Sequence, residues 1–211
     1  MRNRQARIPV SLKIGWTLFV VVWAPVYWKQ YGAQNFLFYC DIGNLLILAG
    51  LWIESRLLIS WQSVGLLVFQ FLYAVDLLGA SISGHHVIGG TEYMFDAAIP
   101  FFVRLLGLYH LVVLLLLLGC VRRLGYDRNA WKWQVAELWV LLPINFSWRP
   151  GYNVNFARGI AHEQHLIPAW LYLVAYMVVV PLLVYWPTHR FLQWWAERAK
   201  ESSVDGASEQ H

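Results

Sequence analysis

Long runs of apolar residues, separated by short polar segments, make up most of this chain. The clearest run covers residues 97–120, where Arg104 and His110 are the polar interruptions. Because a helix needs about 20 apolar residues to cross a bilayer, this run predicts a transmembrane helix. Five further apolar runs predict five more such helices: residues 14–28, 36–53, 57–78, 133–146 and 167–186. The run at residues 133–146, the fifth span in chain order, is the shortest.

The polar segments between these runs predict the rest of the architecture. Two of them, residues 79–95 and 147–166, are longer than the connections of about 2–8 residues usual in helical bundles. Pro187, Thr188 and His189 predict the end of the sixth helix, with a short interfacial helix after it. We therefore expect an all-α polytopic bundle in one domain, residues 1–200, followed by a disordered polar tail, residues 201–211.

Composition strengthens the membrane interpretation. Hydrophobic residues make up 59% of the chain and charged residues 13%, whereas soluble domains average about 45–50% and about 25%. The net charge is +4. Since the basic residues lie in loops and tails beside the apolar runs, membrane lipids with anionic headgroups are the expected partners, and nucleic acid is not.

The distribution of lysine and arginine orients the predicted helices. With six spans, both termini share one side of the membrane, and twelve of the sixteen lysines and arginines fall on that side. The opposite side holds Lys29, Arg149 and Arg158. Cationic residues are retained on the cytoplasmic side, so both termini are predicted to be cytoplasmic in a bacterial-type inner membrane.

In this orientation the polar residues gather in the outer half of the bundle. A charged side chain inside a membrane costs about 2.5–3.5 kcal/mol on insertion scales and usually marks a functional or structural contact. Asp41, Asp76 and His110 are candidate catalytic acid–base groups. A second set has the amide or guanidinium groups that bind a phosphate or carboxylate headgroup: Arg104, Asn145 and Arg149. The alternative for Arg104 is an ion pair with an aspartate that only holds helices together.

The segment from His162 to His165 is the sharpest local motif. It falls one residue short of the zinc-protease pattern, whose two histidines are four residues apart on a helix. Histidines three apart are still neighbours on a helix, so His162 and His165 are candidate ligands of a divalent metal such as zinc. A solvated polar loop is the alternative interpretation.

Four strings resemble a family of uncharacterised bacterial multi-pass membrane proteins: residues 93–96, 104–110, 123–127 and 187–189. This resemblance covers most of the chain and implies a membrane fold without an assigned activity. A looser similarity is to the ceramidase and progestin-receptor-like membrane hydrolases, which hold zinc with histidines and an aspartate. The present chain departs from them in its six predicted spans and in lacking an HxxxH pair on its last helix.

Three functions are compatible with these patterns. The first, which the polar outer half favours, is an enzyme that processes lipids or their headgroups at the outer leaflet, with metal-assisted hydrolysis as a candidate reaction. The second is a small-molecule or proton-coupled transporter, and the third is a non-catalytic membrane assembly subunit. Six spans are few for a transporter and no inverted repeat is visible, so the second function is disfavoured unless the protein is a homo-oligomer.

Overall fold

The computed structural model describes residues 7–148, 153–160 and 163–208, with side chains as far as Arg198. Helices dominate this part of the chain, and it contains no strand. The α-helices are α1 (Val10–Tyr31), α2 (Tyr39–Trp52), α3 (Arg56–Ser83), α4 (Phe101–Gly107), α5 (Tyr109–Leu124), α6 (Ala130–Ser147), α7 (Ala169–Val180) and α8 (Trp186–Ser208). Short 3₁₀ turns lie at Ala33–Leu37, Glu92–Met94 and Val154–Phe156.

These helices form six rods, because α4 leads directly into α5 and a wide π-helical turn at Pro181–Tyr185 joins α7 to α8. All six predicted apolar runs are helical, which confirms the all-α prediction. Four rods are long and apolar enough to cross a membrane: Val10–Tyr31, Arg56–Ser83, Phe101–Leu124 and Ala169–Arg198.

The remaining two rods do not have the same length or composition. Helix α2 has 14 residues, or about 21 Å at 1.5 Å per residue, which is shorter than a hydrocarbon core of about 30 Å. Helix α6 has 18 residues but includes Lys132 and Glu137. The structure therefore supports a membrane bundle with four clear candidate spans.

Helix α3 lies at the centre of the bundle and contacts α2, α5 and α6. Its approach to α2 depends on Gly43, where an added Cβ would lie 2.7 Å from Leu66 Cδ1 and 3.0 Å from Gln62 Oε1. Most of the polar side chains described below project from α3 or from a helix packed against it.

The C-terminal part of the chain differs from the sequence-based prediction. Pro187 does not end a helix; α8 runs through it, and His189 is buried and hydrogen-bonded through Nδ1 to the Tyr126 hydroxyl at 2.7 Å. Prolines are tolerated in such helices because a neighbouring wide turn can pair the freed backbone groups. The helix also continues to Ser208, where we expected a disordered tail, since no proline interrupts it after Pro187.

The residues between α3 and α4, residues 84–100, are called the α3–α4 loop below. At the opposite end of α3, a salt bridge ties α1 to the turn before α3. Lys13 Nζ lies 2.6 Å from Glu54 Oε1, and the two side chains are 10% and 28% exposed. This hydrogen bond from Lys13 holds the pKa of Glu54 below its ordinary value of 4.5.

We expect Glu54→Gln to lower the free energy of unfolding by about 1 kcal/mol at neutral pH, because it leaves Lys13 without its partner. Since folding lowers the pKa of Glu54, the stabilisation is complete above pH 4.5 and is lost as the pH falls through the folded-state pKa. Thermal unfolding of the purified protein in detergent at neutral and acidic pH measures this difference.

Glu197→Gln is the matched control, since Glu197 lies 3.6 Å from Arg128 in a pair whose side chains are 61% and 77% exposed. We expect little change in unfolding temperature for this variant. An equal loss of stability in the two variants, or a Glu54→Gln effect that persists in acid, would contradict the assignment.

Candidate functional site

Asp41 is a buried carboxylate with only neutral partners among the described residues. It lies in the first turn of α2 and is 2% exposed. The Tyr109 hydroxyl donates a hydrogen bond to Oδ1 at 3.0 Å, and the Asn35 amide donates to Oδ2. No salt bridge of the described residues includes Asp41. The carboxyl group is therefore held in place without a cation.

His110 belongs to the same group of side chains. Its Nδ1 lies 2.6 Å from Gln70 Oε1. Its ring stacks on those of Tyr73 and Tyr109, with centroids 4.2 and 4.1 Å away. Because Tyr109 contacts both His110 and Asp41, these two predicted site residues meet through one phenol. We call this group the Asp41 cluster: Asn35, Asp41, Gln70, Tyr73, Tyr109 and His110.

Asp76, the third predicted acid–base residue, holds the α3–α4 loop. It is fully buried, and Oδ1 accepts hydrogen bonds from the backbone N–H groups of Ile88 and Gly89 at 2.8 and 2.9 Å. Oδ2 accepts from the Thr91 hydroxyl and lies 2.9 Å from His86 Nδ1. Four contacts to one loop account for the burial of this carboxylate.

Arg104 also contacts the α3–α4 loop. Its Nη1 donates to the Met94 carbonyl at 3.0 Å, and its guanidinium lies 5.8 Å from the centroid of the Phe101 ring. Among the described residues it makes no salt bridge with an aspartate. The expected alternative, an ion pair between Arg104 and Asp41, Asp76 or Asp96, is therefore not the arrangement in this structure.

Tyr93 connects the loop to the Asp41 cluster. Its hydroxyl lies 2.8 Å from that of Tyr73, whose ring stacks on His110. A Cβ at Gly107 would lie 2.6 Å from the Tyr93 hydroxyl and 3.2 Å from Met94 Sδ, so the loop packs directly on α4 at this glycine. Movement of the loop would therefore remove a neighbour of the Asp41 cluster.

The other predicted binding residues lie elsewhere. Asn145 is fully buried near the end of α6, and neither amide atom has a hydrogen-bond partner within the described ranges. Arg149 and His162 are outside the described residues. His165 is exposed, and the structure, as far as it is described, brings no three histidine, cysteine, aspartate or glutamate residues into a group that could hold a metal.

The segment between α6 and α7 is nevertheless attached to the start of α2. Asn155 Oδ1 accepts from the Tyr39 backbone N–H at 3.0 Å, and its Nδ2 donates to the Leu37 carbonyl at 2.8 Å. Arg158 Nη2 donates to the Phe146 carbonyl at 2.6 Å. These contacts stabilise the turn that carries Asn35 and Asp41.

Sequence reasoning missed Tyr109 and Asn35 as partners of Asp41. Tyr109 is adjacent to His110, but a tyrosine in an apolar run is equally typical of an interfacial anchor. Asn35 lies in a short turn and carries no periodic signal. Asp41 and Asn44 are three residues apart, which places them on one helical face, and both are buried.

The fold and this cluster define a class: an all-helical bundle with four helices long and apolar enough to span a membrane, and with a polar group in its interior. Comparison with family models, curated proteins and solved structures found no match.

We expect Asp76→Ala to release the α3–α4 loop, because it removes the oxygen atoms that accept from the Ile88 and Gly89 N–H groups and from the Thr91 hydroxyl. Losing these buried hydrogen bonds costs about 1–3 kcal/mol, so hydrogen exchange at the amides of Ile88 and Gly89 should accelerate at least about tenfold. Glu92→Gln is the control, since Glu92 is exposed and accepts from Gly90 N at 2.7 Å. Unchanged exchange in Asp76→Ala would show that the loop is held by other contacts.

Proposed function

We propose that this protein is a proton-linked carrier of a small polar solute, with six spans and both termini cytoplasmic in a bacterial-type inner membrane. Asp41 is the group that binds and releases the proton. The observation that carries this proposal is a buried carboxyl whose described side-chain partners, Asn35, Cys40 and Tyr109, are all neutral.

Because its partners are neutral, the Asp41 carboxyl group can be either protonated or ionised. A buried carboxylate paired with arginine or lysine keeps its negative charge. Burying a carboxylate that has no such cation beside it costs several kcal/mol, which favours its protonated form. Ionisable residues placed inside a membrane in this way commonly mark a path for protons or ions. Hydroxyl and amide groups such as those of Tyr109 and Asn35 can orient Asp41 in either protonation state.

Polar side chains continue from Asp41 into the bundle. Asn44 lies one turn further along α2, is fully buried, and has no described partner for either amide atom. Gln62 Oε1 approaches α2 at Gly43, between these two residues. An outer-leaflet enzyme needs polar groups in one half of the membrane only. Carriers place them near the middle as well, so this continuation favours transport.

A lipid- or headgroup-processing enzyme is the second candidate. It is favoured by the contact of Tyr109 with both Asp41 and His110, since a carboxyl and an imidazole beside one hydroxyl are residue types of acid–base catalysis. In that case Arg104, Asn145 and Arg149 would bind the headgroup, and a metal at His162 and His165 would assist hydrolysis.

A proton-flux assay tests the carrier proposal. Purified protein is reconstituted in vesicles that contain a pH-sensitive dye, and pools of amino acids, sugars, amines or short carboxylic acids are added outside. We expect at least one pool to accelerate the internal pH change, and we expect Asp41→Asn to reduce it to the rate of protein-free vesicles. Asn cannot exchange a proton but retains the shape of the side chain.

Asp96→Asn is the control, because Asp96 is exposed and accepts only from the Ala98 backbone N–H at 2.8 Å among its described contacts. It should leave the flux unchanged. If no pool accelerates the pH change, or if Asp41→Asn transports like the unmodified protein, the carrier proposal fails. Release of a product from lipid vesicles that is lost in both Asp41→Asn and His110→Ala would instead support the enzyme.

A further inference from the structure

A second group of polar side chains lies where α6 packs on α3; Gln62, Gln134 and Tyr185 in it are buried, and Trp61 and Glu137 are half-buried. Trp61 Nε1 donates a hydrogen bond to Glu137 Oε2 at 2.8 Å. Gln134 lies three residues before Glu137 on α6, which places both on one helical face, and Gln62 follows Trp61 on α3. Gln134 Nε2 also lies 3.4 Å from the Tyr185 hydroxyl. We call this group the Glu137 cluster: Trp61, Gln62, Gln134, Glu137 and Tyr185.

The Glu137 cluster lies at a different depth from the Asp41 cluster. Gln62 is six residues after the start of α3, or about 9 Å along its axis, whereas Gln70 of the Asp41 cluster lies about 12 Å further along. Glu137 is seven residues after the start of α6. Gln62 therefore lies nearer the start of α3 than Gln70 does, and its Oε1 reaches α2 at Gly43, two residues after Asp41.

Two atoms of the Glu137 cluster have no partner. Gln62 and Gln134 are each 1% exposed, yet Gln62 Nε2 and Gln134 Oε1 make no hydrogen bond to any described residue. One is a donor and the other an acceptor, and the residues that carry them are next to Trp61 on α3 and three residues before Glu137 on α6. Buried polar groups left in this way are usually satisfied by an ordered water.

The backbone of α3 leaves room for this arrangement at Gly65. An added Cβ there would overlap the Gln134 amide, with Gln134 Oε1 as the nearest atom. The Gln134 amide therefore packs directly against the backbone of α3 at Gly65, where only glycine leaves enough space. Any larger side chain at position 65 would displace Gln134.

We propose that the Glu137 cluster is a second proton-binding site, in which one water molecule bridges Gln62, Gln134 and Glu137. Water accepts a hydrogen bond from Gln62 Nε2 and donates one to Gln134 Oε1, and its second hydrogen or second lone pair binds the carboxyl group in either protonation state. A metal cation does not fit as well, because it cannot accept the hydrogen bond from Gln62 Nε2 and would find few oxygen ligands.

As a site, the Glu137 cluster rests on its own contacts; its part in transport rests on the proposed function. There it would receive the proton that Asp41 releases, or deliver one to it, so that two proton-binding groups follow one another within the bundle. The proton would move along hydrogen bonds, with no covalent intermediate.

Infrared spectroscopy of the full chain in vesicles tests the site without measuring transport. The carbonyl band of protonated Glu137 is identified over a pH series by its loss in Glu137→Gln, and its shift in D₂O reports exchange with water. We expect this band to appear and to exchange. We expect Gln62→Leu combined with Gln134→Leu to slow the exchange about tenfold or more, because the bridging water loses two partners.

Ser63→Ala is the matched control on α3, since Ser63 is fully buried and donates only to the Ile59 carbonyl at 2.7 Å among its described contacts. It should leave the exchange unchanged. If the double variant does not fold, Gly65→Ala displaces Gln134 alone and should also slow the exchange. A Glu137 band that is absent at every pH, or exchange unaffected by these variants, overturns the proposal.

The two proposals can fail separately. Exchange at Glu137 in a protein that moves no protons would leave the site in place and refute the carrier. Proton flux that depends on Asp41 but occurs without water-dependent exchange at Glu137 would keep the carrier and refute this second site.

Discussion

Hydrogen bonding within an apolar bundle is the constraint on which the structure depends. Hydrocarbon offers no partners to polar groups, so each buried polar side chain must find one inside the protein. Helix α3 supplies many of these contacts. Trp61 bonds to Glu137 on α6, Gln70 bonds to His110 on α5, and Asp76 bonds to the α3–α4 loop. These bonds determine which face of α3 meets each neighbour.

The loop and the interior are linked by the same bonds. Asp76 orders the α3–α4 loop, and Tyr93 of that loop reaches Tyr73 beside His110. A carboxylate that serves the loop thus also supports the Asp41 cluster indirectly. Asp41 differs from Asp76 in its hydrogen-bond donors. The described donors to Asp41 are all side chains, whereas Asp76 also accepts from two backbone N–H groups. That difference is why we assign a role in proton binding to Asp41 and a structural role to Asp76.

Individual residues show which parts of the site could be predicted from the sequence. Asp41 and His110 were recognised because a titratable residue in an apolar run is conspicuous whatever surrounds it. Arg104 and Asp76 were conspicuous for the same reason, but their contacts depend on the path of the α3–α4 loop, which has no periodicity to interpret. Tyr109 and Asn35 were missed because tyrosines and turn asparagines are common in membrane proteins without any such role.

The sequence alone determined the membrane class, the helical nature of all six apolar runs and the buried face shared by Asp41 and Asn44. Hydropathy and the 3.6-residue helical period are local properties, so they can be read from neighbouring residues. Only the tertiary structure decided that Pro187 lies within a helix, that Asp76 and Arg104 contact the α3–α4 loop, and that Trp61 bonds to Glu137. Those outcomes depend on which helices lie side by side, and residues far apart in the chain carry no local signal of the partners they will contact.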